Sequence, residues 1–222
     1  MARTNAKRIG RAGLTYVQAV AVQEKLRGRV ERVRRLGRVR TVAGIDCGFK
    51  DDVGRGAVVV MTYPQLEVVE RVVAERPIDF PYIPGLLSFR EVPVIKAAFR
   101  QLQTRPDLAL VDGMGLAHPR RIGLACHLGL ELDLPTIGCG KSLFVGTHSE
   151  PRDTRGARAA LRHDGEVVGC ALRTRVGTKP IYVSIGHRVD LRTATRWVLR
   201  CTPKYRLPEP IRAADRLAGE RG

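Results

Sequence analysis

Two aspartates each follow a short run of apolar residues, and a glutamate lies between them in the sequence. Asp46 follows "VAGI" and Asp112 follows "LALV". Such apolar runs are typical of buried strands, and a carboxylate at the end of a buried strand is costly unless it caps a turn or holds a cation. Either aspartate alone is most simply a turn former. Two of them in neighbouring strands, with Glu91 one turn into the intervening helix, favour a shared site.

Carboxylates from scattered positions provide hard oxygen ligands, which suit Mg²⁺ and also Mn²⁺. If the strands that end at Asp46 and Asp112 are neighbours, these side chains and Glu91 converge at one end of a sheet. A metal held there can activate water and stabilise the leaving 3′ oxygen during cleavage of a phosphodiester. The three acids are therefore the candidate metal ligands and catalytic residues.

A basic group beside such a metal would complete the chemistry, and Lys141 in "IGCGKSLFVG" is the best candidate. A lysine can place a fixed positive charge near a phosphate. The same stretch suggests a nucleotide-binding P-loop, but that motif needs a glycine five residues before Gly140, and Pro135 stands there. The spacing therefore excludes a P-loop.

The stretch "DGMGLAHPRR" adds a histidine and two arginines. A lone histidine is most often structural, but His118 follows Asp112 by only six residues and could reach the scissile phosphate or a carboxylate. Arg120 and Arg121 are predicted to begin a helix, where the helix dipole already attracts phosphate.

The segment "PYIPGLLSFRE" is stiff in its front half. Pro81 and Pro84 restrict the backbone on either side of Tyr82, and Gly85 follows at once. The back half is predicted to begin the helix that carries Glu91. The sequence thus holds one tyrosine rigidly and supplies a carboxylate nine residues later.

The remaining pattern predicts the elements that position these residues. A helix is expected from Thr15 to about Arg35, and only Pro64 and Gln65 separate the second and third strands, which predicts an antiparallel hairpin. Asp190 is the expected N-cap of the last helix. After the first helix, three strands are predicted, "TVAGIDCGF", "GAVVVMTYP" and "LEVVERVVAE". They are followed by the helix "LLSFREVPVIKAAFRQL", the strand "DLALVDG", the helix "RRIGLACHLGLEL" and the strand "LPTIGCG". Two more strands, "EVVGCALRT" and "KPIYVSI", precede the last helix, "DLRTATRWVLRC".

A three-strand meander followed by alternating helices and strands predicts an α/β fold, with a mixed β-sheet flanked by helices. We expect one domain over residues 14–206, since a chain of 222 residues is long enough for one sizeable core. Residues 1–13 are predicted to be a basic, flexible N-terminus, and residues 207–222 a loosely ordered C-terminal tail.

The chain is strongly basic, with 39 Lys and Arg residues against 22 Asp and Glu and a formal charge of +17. Of the 39, 32 are arginine, whose planar guanidinium pairs with phosphates in a two-pronged fork. A GC-rich genome would also favour arginine. The net charge itself indicates a nucleic-acid partner.

Five cysteines occur without any C-x-x-C pair, which argues against a zinc site. No apolar run approaches the length of a membrane span, and the N-terminal stretch is a poor signal peptide. These features predict a cytoplasmic protein that does not enter a membrane.

Several long motifs resemble those of the endonuclease V (deoxyinosine 3′ endonuclease) family. They are "QEKLRGRV", "VAGIDCGF", "YIPGLLSFRE", "VDGMGLAHPRRIGLACHLG", "IGCGKS" and "KPIYVSIGHRVDL", and the similarity covers about residues 15–200. The resemblance implies a ribonuclease H-like fold and a DNA repair enzyme that recognises deoxyinosine, the product of adenine deamination. It also implies Mg²⁺-dependent cleavage, with Mn²⁺ tolerated, of the second phosphodiester bond 3′ to the lesion, which leaves a 3′-hydroxyl and a 5′-phosphate.

The resemblance also implies roles for single residues. The acidic metal site of the family is matched by Asp46, Glu91 and Asp112. Further residues of its cleavage centre are matched by Lys141 and His118. Tyr82 matches a wedge that fills the gap left by a flipped base. The expected base pocket comprises Gly85, Leu87, Gly113, Leu124 and Gly138. The expected phosphate contacts are Arg90, Arg120, Arg121 and His187. Met114 and Ile185 depart from residues that are common in the family.

Two alternatives remain at this point. A ribonuclease specific for inosine would share the metal site, and the sequence shows no clear contact for a 2′-hydroxyl. A non-catalytic nucleic-acid-binding protein would explain the charge, although it would have no need for buried carboxylates that repel phosphate. A monomer is the expected oligomeric state.

Overall fold

The computed structural model describes residues 8–9 and 13–220. The basic segment 1–13, predicted to be flexible, lies almost entirely outside the described residues. The strands are β1 (Arg8–Ile9), β2 (Leu14–Thr15), β3 (Thr41–Lys50), β4 (Val53–Thr62), β5 (Val68–Pro77), β6 (Leu108–Asp112), β7 (Thr136–Gly140), β8 (Arg158–His163), β9 (Glu166–Leu172) and β10 (Ile181–His187). The helices are α1 (Tyr16–Arg27), α2 (Ser88–Phe99), α3 (Leu124–Leu132), α4 (Leu191–Arg200) and α5 (Glu209–Gly219).

Eight strands form one mixed sheet in the order β5-β4-β3-β6-β7-β10-β9-β8. Strands β3, β4 and β5 are an antiparallel meander, and β3, β6 and β7 pair in parallel. Helices α2 and α3 lie between the parallel strands in sequence, as crossover connections require. The predicted α/β architecture, with its mixed sheet flanked by helices, is confirmed, and so is the hairpin of β4 and β5.

Helices cover both faces of the sheet and enclose two main apolar cores. One core packs α2 and α3 against the meander and parallel strands, with Ile45, Ile95 and Leu128 among its fully buried side chains. The other lies on the opposite face beneath α4 and α5 and includes Leu110 and Ile211. Within residues 13–220, the structure contains no helix that is both long enough and apolar enough to cross a membrane.

Local sequence signals account for the ends of two helices. The Asp190 carboxylate accepts a hydrogen bond from the Thr193 backbone N–H at 2.6 Å, so the predicted N-cap of α4 is confirmed. The predicted extent of α1 to about Arg35 is wrong, because the helix ends at Arg27 with Gly28 as its C-cap. The chain then runs extended beside the end of β10, where the Arg35 N–H donates to the Arg188 carbonyl.

The predicted loose tail is also wrong, because residues 209–219 form α5 on the sheet. Its buried residues include Ile211, Ala214 and Ala218, which recur every three or four positions and face the core. The prolines that suggested disorder lie at the start of the helix, where proline is tolerated.

Glycine in β3 allows α5 to dock this closely. A Cβ on Gly44 would lie 1.9 Å from the Pro210 carbonyl oxygen, and one on Gly48 would lie 3.0 Å from the Ala218 carbonyl oxygen. The backbone of α5 therefore occupies space that side chains on β3 would otherwise fill.

We predict that Gly44→Ala lowers the free energy of unfolding by about 1–3 kcal/mol, the usual range for overpacking, because the added methyl clashes with backbone atoms that cannot move independently. Urea denaturation followed by circular dichroism measures this. Gly37→Ala is the matched control, since a Cβ at Gly37 meets nothing within 4 Å. Equal stability of the two variants would show that α5 is not held as described.

Candidate active site

Three carboxylates converge at the end of the sheet where β6 stops. The parallel register pairs Ile45 with Val111, so the next residues, Asp46 and Asp112, lie side by side. Asp46 is not at the end of its strand as expected, because β3 continues to Lys50. Asp215 on α5 is the third member of the group, and one carboxylate oxygen of each aspartate lies within 4.8 Å of the others.

The protein environment disfavours charge on the two strand carboxylates. Burial, followed by the negative charge of Asp112, raises the pKa of Asp46 to about 7. Burial also raises the pKa of Asp112. Like charges held together in a poorly solvated site bind a cation favourably, because the cation removes their repulsion.

Lys141, which follows β7, is the positive group closest to these acids. Its Nζ atom lies 2.6 Å from a carboxylate oxygen of Asp112 and 2.6 Å from one of Asp215. Partial burial alone would lower the pKa of Lys141, but its hydrogen bonds to Asp112 and Asp215 raise it above the usual value. The predicted proximity of Lys141 to the acids is confirmed, and the ammonium group carries a fixed positive charge.

Glu91 lies in the first turn of α2, beside the aspartate cluster but outside the group of three. Burial, followed by the charges of Asp46 and Asp112, raises the pKa of Glu91 to about 8. Together with Asp112, it lines the adjacent cavity. Its role as a metal ligand stays a prediction, whereas Asp215 is an acid that the sequence analysis missed.

The donor set fits a hard divalent cation. Asp46, Asp112 and Asp215 offer only carboxylate oxygens, and no soft sulfur or imidazole ligand joins them in the described part of the chain. Oxygen-only sites of this kind suit Mg²⁺ or Mn²⁺. The residues present therefore fit the metal that the sequence analysis predicted.

A cavity of about 310 Å³ opens beside the acids. Four of the five residues expected to contact a base line it, namely Gly85, Leu87, Gly113 and Leu124. Gly138 does not; it is buried in β7, where a Cβ would lie 2.4 Å from the Gly115 backbone nitrogen, and its contact with a base stays a prediction. The cavity wall also includes Ser88, Met114, His118, Gly123, Gly140, Ser142, Leu143 and Phe144.

Residues 80–87, here called the wedge loop, form one wall of this cavity through Gly85 and Leu87. Phe80 and Leu86 are buried against Ala19 of α1 and anchor the two ends of the loop. Between them Tyr82 is 69% exposed. This combination of a packed backbone and a projecting ring is what a wedge requires, and it excludes a core role for the tyrosine.

His118 is buried, and main-chain atoms bond both of its ring nitrogens. Nε2 lies 3.0 Å from the Gly85 carbonyl oxygen, and Nδ1 accepts the Arg120 backbone N–H at 3.2 Å. A carbonyl can only accept, so Nε2 carries the proton and the ring is neutral. Burial lowers the pKa of His118 to about 4. In this structure the histidine joins the wedge loop to the loop after β6, and its catalytic role stays a prediction.

Two of the four predicted phosphate contacts are wrong. Arg121 is only 8% exposed, and its guanidinium bonds Glu166 and the carbonyls of His118 and His163. It also does not begin a helix, since α3 starts at Leu124. His187 is buried at the far end of β10, where its Nδ1 accepts the Glu31 backbone N–H.

The other two predicted phosphate contacts lie close to the wedge loop. The guanidinium of Arg90 stacks over the Phe49 ring at 4.2 Å and also approaches the Phe80 carbonyl. Arg120 donates to the Gly85 carbonyl oxygen at 2.6 Å. Their contact with phosphate stays a prediction.

Comparison with known proteins agrees with this geometry. The sequence model of the endonuclease V family matches residues 24–216. Endonuclease V of Trichormus variabilis is 53% identical over 211 residues, which cover 94% of this chain and 96% of the relative. Endonuclease V of a Roseiflexus species is 56% identical over 204 residues, 92% of each chain.

Solved structures show the same fold. The crystal structure of endonuclease V from Streptomyces avermitilis superposes with a TM-score of 0.89 at 45% identity, covering 92% of each chain. Endonuclease V of Ciona intestinalis, solved in complex with a 23mer DNA containing an inosine followed by a ribo-adenosine, has a TM-score of 0.83 at 29% identity, covering 91% of this chain and 95% of that one. The predicted ribonuclease H-like fold is confirmed, and the chain belongs to the endonuclease V family of nucleases.

Proposed function

We propose that the protein is a Mg²⁺-dependent DNA repair endonuclease that recognises deoxyinosine and hydrolyses the second phosphodiester bond 3′ to the lesion, leaving a 3′-hydroxyl and a 5′-phosphate. The observation that carries this proposal is the position of the acidic cluster and Lys141 at the mouth of a cavity that the wedge loop walls off. Recognition of a displaced base and hydrolysis of the neighbouring backbone can then occur together.

The acids Asp46, Asp112 and Asp215 would hold the cation, with Glu91 beside them. When bound, Mg²⁺ would supply a polarised water and a counter-charge for the phosphate and the leaving oxygen; Mn²⁺ has similar ligand preferences and should substitute. Lys141 bridges Asp112 and Asp215, which orients both carboxylates and leaves a positive charge facing the cavity.

Recognition would depend on extruding the base, which takes a few kcal/mol of unstacking and unpairing. Tyr82 would fill the vacated space in the stack, and the cavity beside Gly85, Leu87 and Leu124 would receive the base. Inosine as the base is inferred from the DNA complex of the Ciona enzyme.

Cleavage of inosine-containing RNA is the second candidate function. The Ciona complex contains a ribo-adenosine directly after the inosine, so a family site accommodates a 2′-hydroxyl at that position. The non-catalytic alternative is not retained, because the chain belongs to a family of nucleases and has the acids. We further propose that the enzyme acts as a monomer in the cytoplasm: one chain supplies all the site residues, and its five cysteines are free.

The first test of this function uses end-labelled duplexes with deoxyinosine or adenine at one position, incubated with the protein in Mg²⁺ or in EDTA. We expect one cut in the deoxyinosine strand, one nucleotide beyond the 3′ phosphate of the lesion, and only in Mg²⁺. A matched RNA containing inosine is run in parallel. Preferential cutting of the RNA would replace the DNA proposal with the second candidate.

We predict that Asp112→Asn reduces cleavage by at least about 100-fold, since changing even outer-shell partners of a metal typically costs 10- to 100-fold. Affinity for the lesion duplex, measured by fluorescence anisotropy in EDTA, should be retained or increased because a negative charge near phosphate is removed. Asp164→Asn, at the exposed tip of the β8–β9 hairpin, is the control and should cleave normally. Full activity of Asp112→Asn would remove Asp112 from the site.

We predict that Tyr82→Ala weakens binding to a deoxyinosine duplex by about 5- to 150-fold, because stacking an aromatic ring on a base is worth about 1–3 kcal/mol. Binding to the same oligonucleotide as a single strand should change much less, since it has no stack to hold open. Tyr82→Phe keeps the ring and should behave like the unchanged protein. Equal weakening of duplex and single-strand binding would contradict the wedge role.

A further inference from the structure

The carbonyl oxygen of Gly85, inside the wedge loop, accepts three hydrogen bonds. Gln23 Nε2 donates to it at 2.9 Å, His118 Nε2 at 3.0 Å and Arg120 Nη2 at 2.6 Å. The three donors come from α1 and from the loop after β6, two segments far from Gly85 in sequence. A carbonyl oxygen has two lone pairs, so this acceptor is fully used and its position is fixed from three directions.

Gln23 is the least expected of these donors. It lies in the middle of α1 and is 0% exposed, whereas a glutamine on a surface helix usually faces solvent. Both ends of its amide have partners, because Oε1 accepts from Arg120 Nε at 2.5 Å while Nε2 binds Gly85. Burying a polar group is favourable only when it is satisfied in this way.

The contacts of Gln23, Arg120 and Gly85 form a closed triangle, which makes the arrangement rigid. Each of the three bonds the other two. Gly85 itself has a positive φ of +79°, and a Cβ there would meet Arg120 Nη2 at 2.9 Å. The left-handed turn that only glycine adopts readily therefore presents the carbonyl to the clamp.

We propose that Gln23 is a positioning residue for recognition of lesions in duplex nucleic acid. Through the Gly85 carbonyl it anchors the wedge loop, so that the base stack cannot push Tyr82 back. This inference rests on the wedge role in the proposed function. The apolar contacts of the loop with Ala19 resist its removal from α1, but only directional hydrogen bonds fix where along the helix the backbone sits.

The hydrogen bonds to the Gly85 carbonyl hold the backbone close to Tyr82, the residue that the base stack would push. Gly85 follows Tyr82 by three residues, and Pro84 between them limits how far the backbone can bend. Displacing Tyr82 inward would therefore pull on the Gly85 carbonyl. A single strand exerts no comparable load, so the anchor matters for duplex substrates.

The test replaces Gln23 with Met, which has a similar shape and no hydrogen-bonding amide. Dissociation constants for a deoxyinosine duplex and for the same strand alone are measured by fluorescence anisotropy in EDTA. We expect Gln23→Met to weaken duplex binding by about tenfold, equivalent to one or two buried hydrogen bonds, and single-strand binding by less than about twofold. Gln23→Glu, which keeps the acceptor for Arg120 but loses the donor to Gly85, is made in parallel in case the Met variant fails to fold, and should show the same selectivity.

A double-mutant cycle with Tyr82→Ala separates the possible outcomes. If Gln23 acts through Tyr82, the double variant binds duplex no more weakly than Tyr82→Ala alone. Independent, additive losses, or equal losses on both substrates, would overturn the inference. If Tyr82→Ala is selective for duplex but the Gln23 variants are not, the wedge role stands and only the anchor fails. If Tyr82→Ala is not selective, the wedge role and the anchor both fail.

Val198→Ala, on the buried face of α4, controls for lost stability. It should lower the melting temperature while leaving the ratio of duplex to single-strand affinity unchanged. A change in that ratio for Val198→Ala would show that general destabilisation, and not the anchor, explains the result.

Discussion

The repulsion among buried carboxylates is the constraint on which the rest of the structure depends. Asp46, Asp112 and Asp215 lie within a few ångströms of one another, and burial already disfavours the charged forms of Asp46 and Asp112. A fold can hold such a cluster only if rigid elements prevent the side chains from separating. The parallel pairing of β3 with β6 fixes two of them, and the close docking of α5 on Gly44 fixes the third. Lys141 offsets part of the repulsion without filling the cavity beside it.

The side of the cavity formed by the wedge loop has no cluster of charges to hold together; it needs its loops to be fixed in place. Its glycines and apolar side chains carry little charge, and its shape depends on loops that would be mobile if nothing joined them. The Gly85 carbonyl serves as the common point, because α1 and the loop after β6 both donate to it. His118 takes part in this network as a neutral donor, because burial, and next to it the charge of Arg120, lower its pKa. The acids are thus positioned by strand pairing and by the docking of α5, whereas the wedge loop is positioned by hydrogen bonds to the Gly85 carbonyl. Both sets of residues border the same cavity.

The sequence predicts the parts of this arrangement that local patterns encode. The apolar strand that ends at Asp112, the short hairpin connection and the N-cap at Asp190 all depend on neighbouring residues, and the structure confirms them. Asp215 was missed because α5 is recognisable only from its contact with β3, across more than 150 residues of sequence. Strand β8 was missed for a similar reason: Arg158 and Arg162 alternate with buried Ala159 and Leu161 on an edge strand, and the arginines hide the pattern.

The high arginine content suggested more phosphate contacts than the structure supports, because many guanidinium groups are already bonded within the protein. Several guanidinium groups bond main-chain carbonyls: Arg105 reaches the carbonyls at the end of α3, and Arg155 those at the end of α4. Arg206 joins the carbonyls of Lys141 and Pro180. A planar fork with five donors can satisfy several acceptors at once, which a lysine cannot do. Part of the arginine content therefore stabilises helix ends and loops around the site. The net charge still favours a polyanionic partner, but a single arginine indicates a phosphate contact only after its burial and main-chain partners are known.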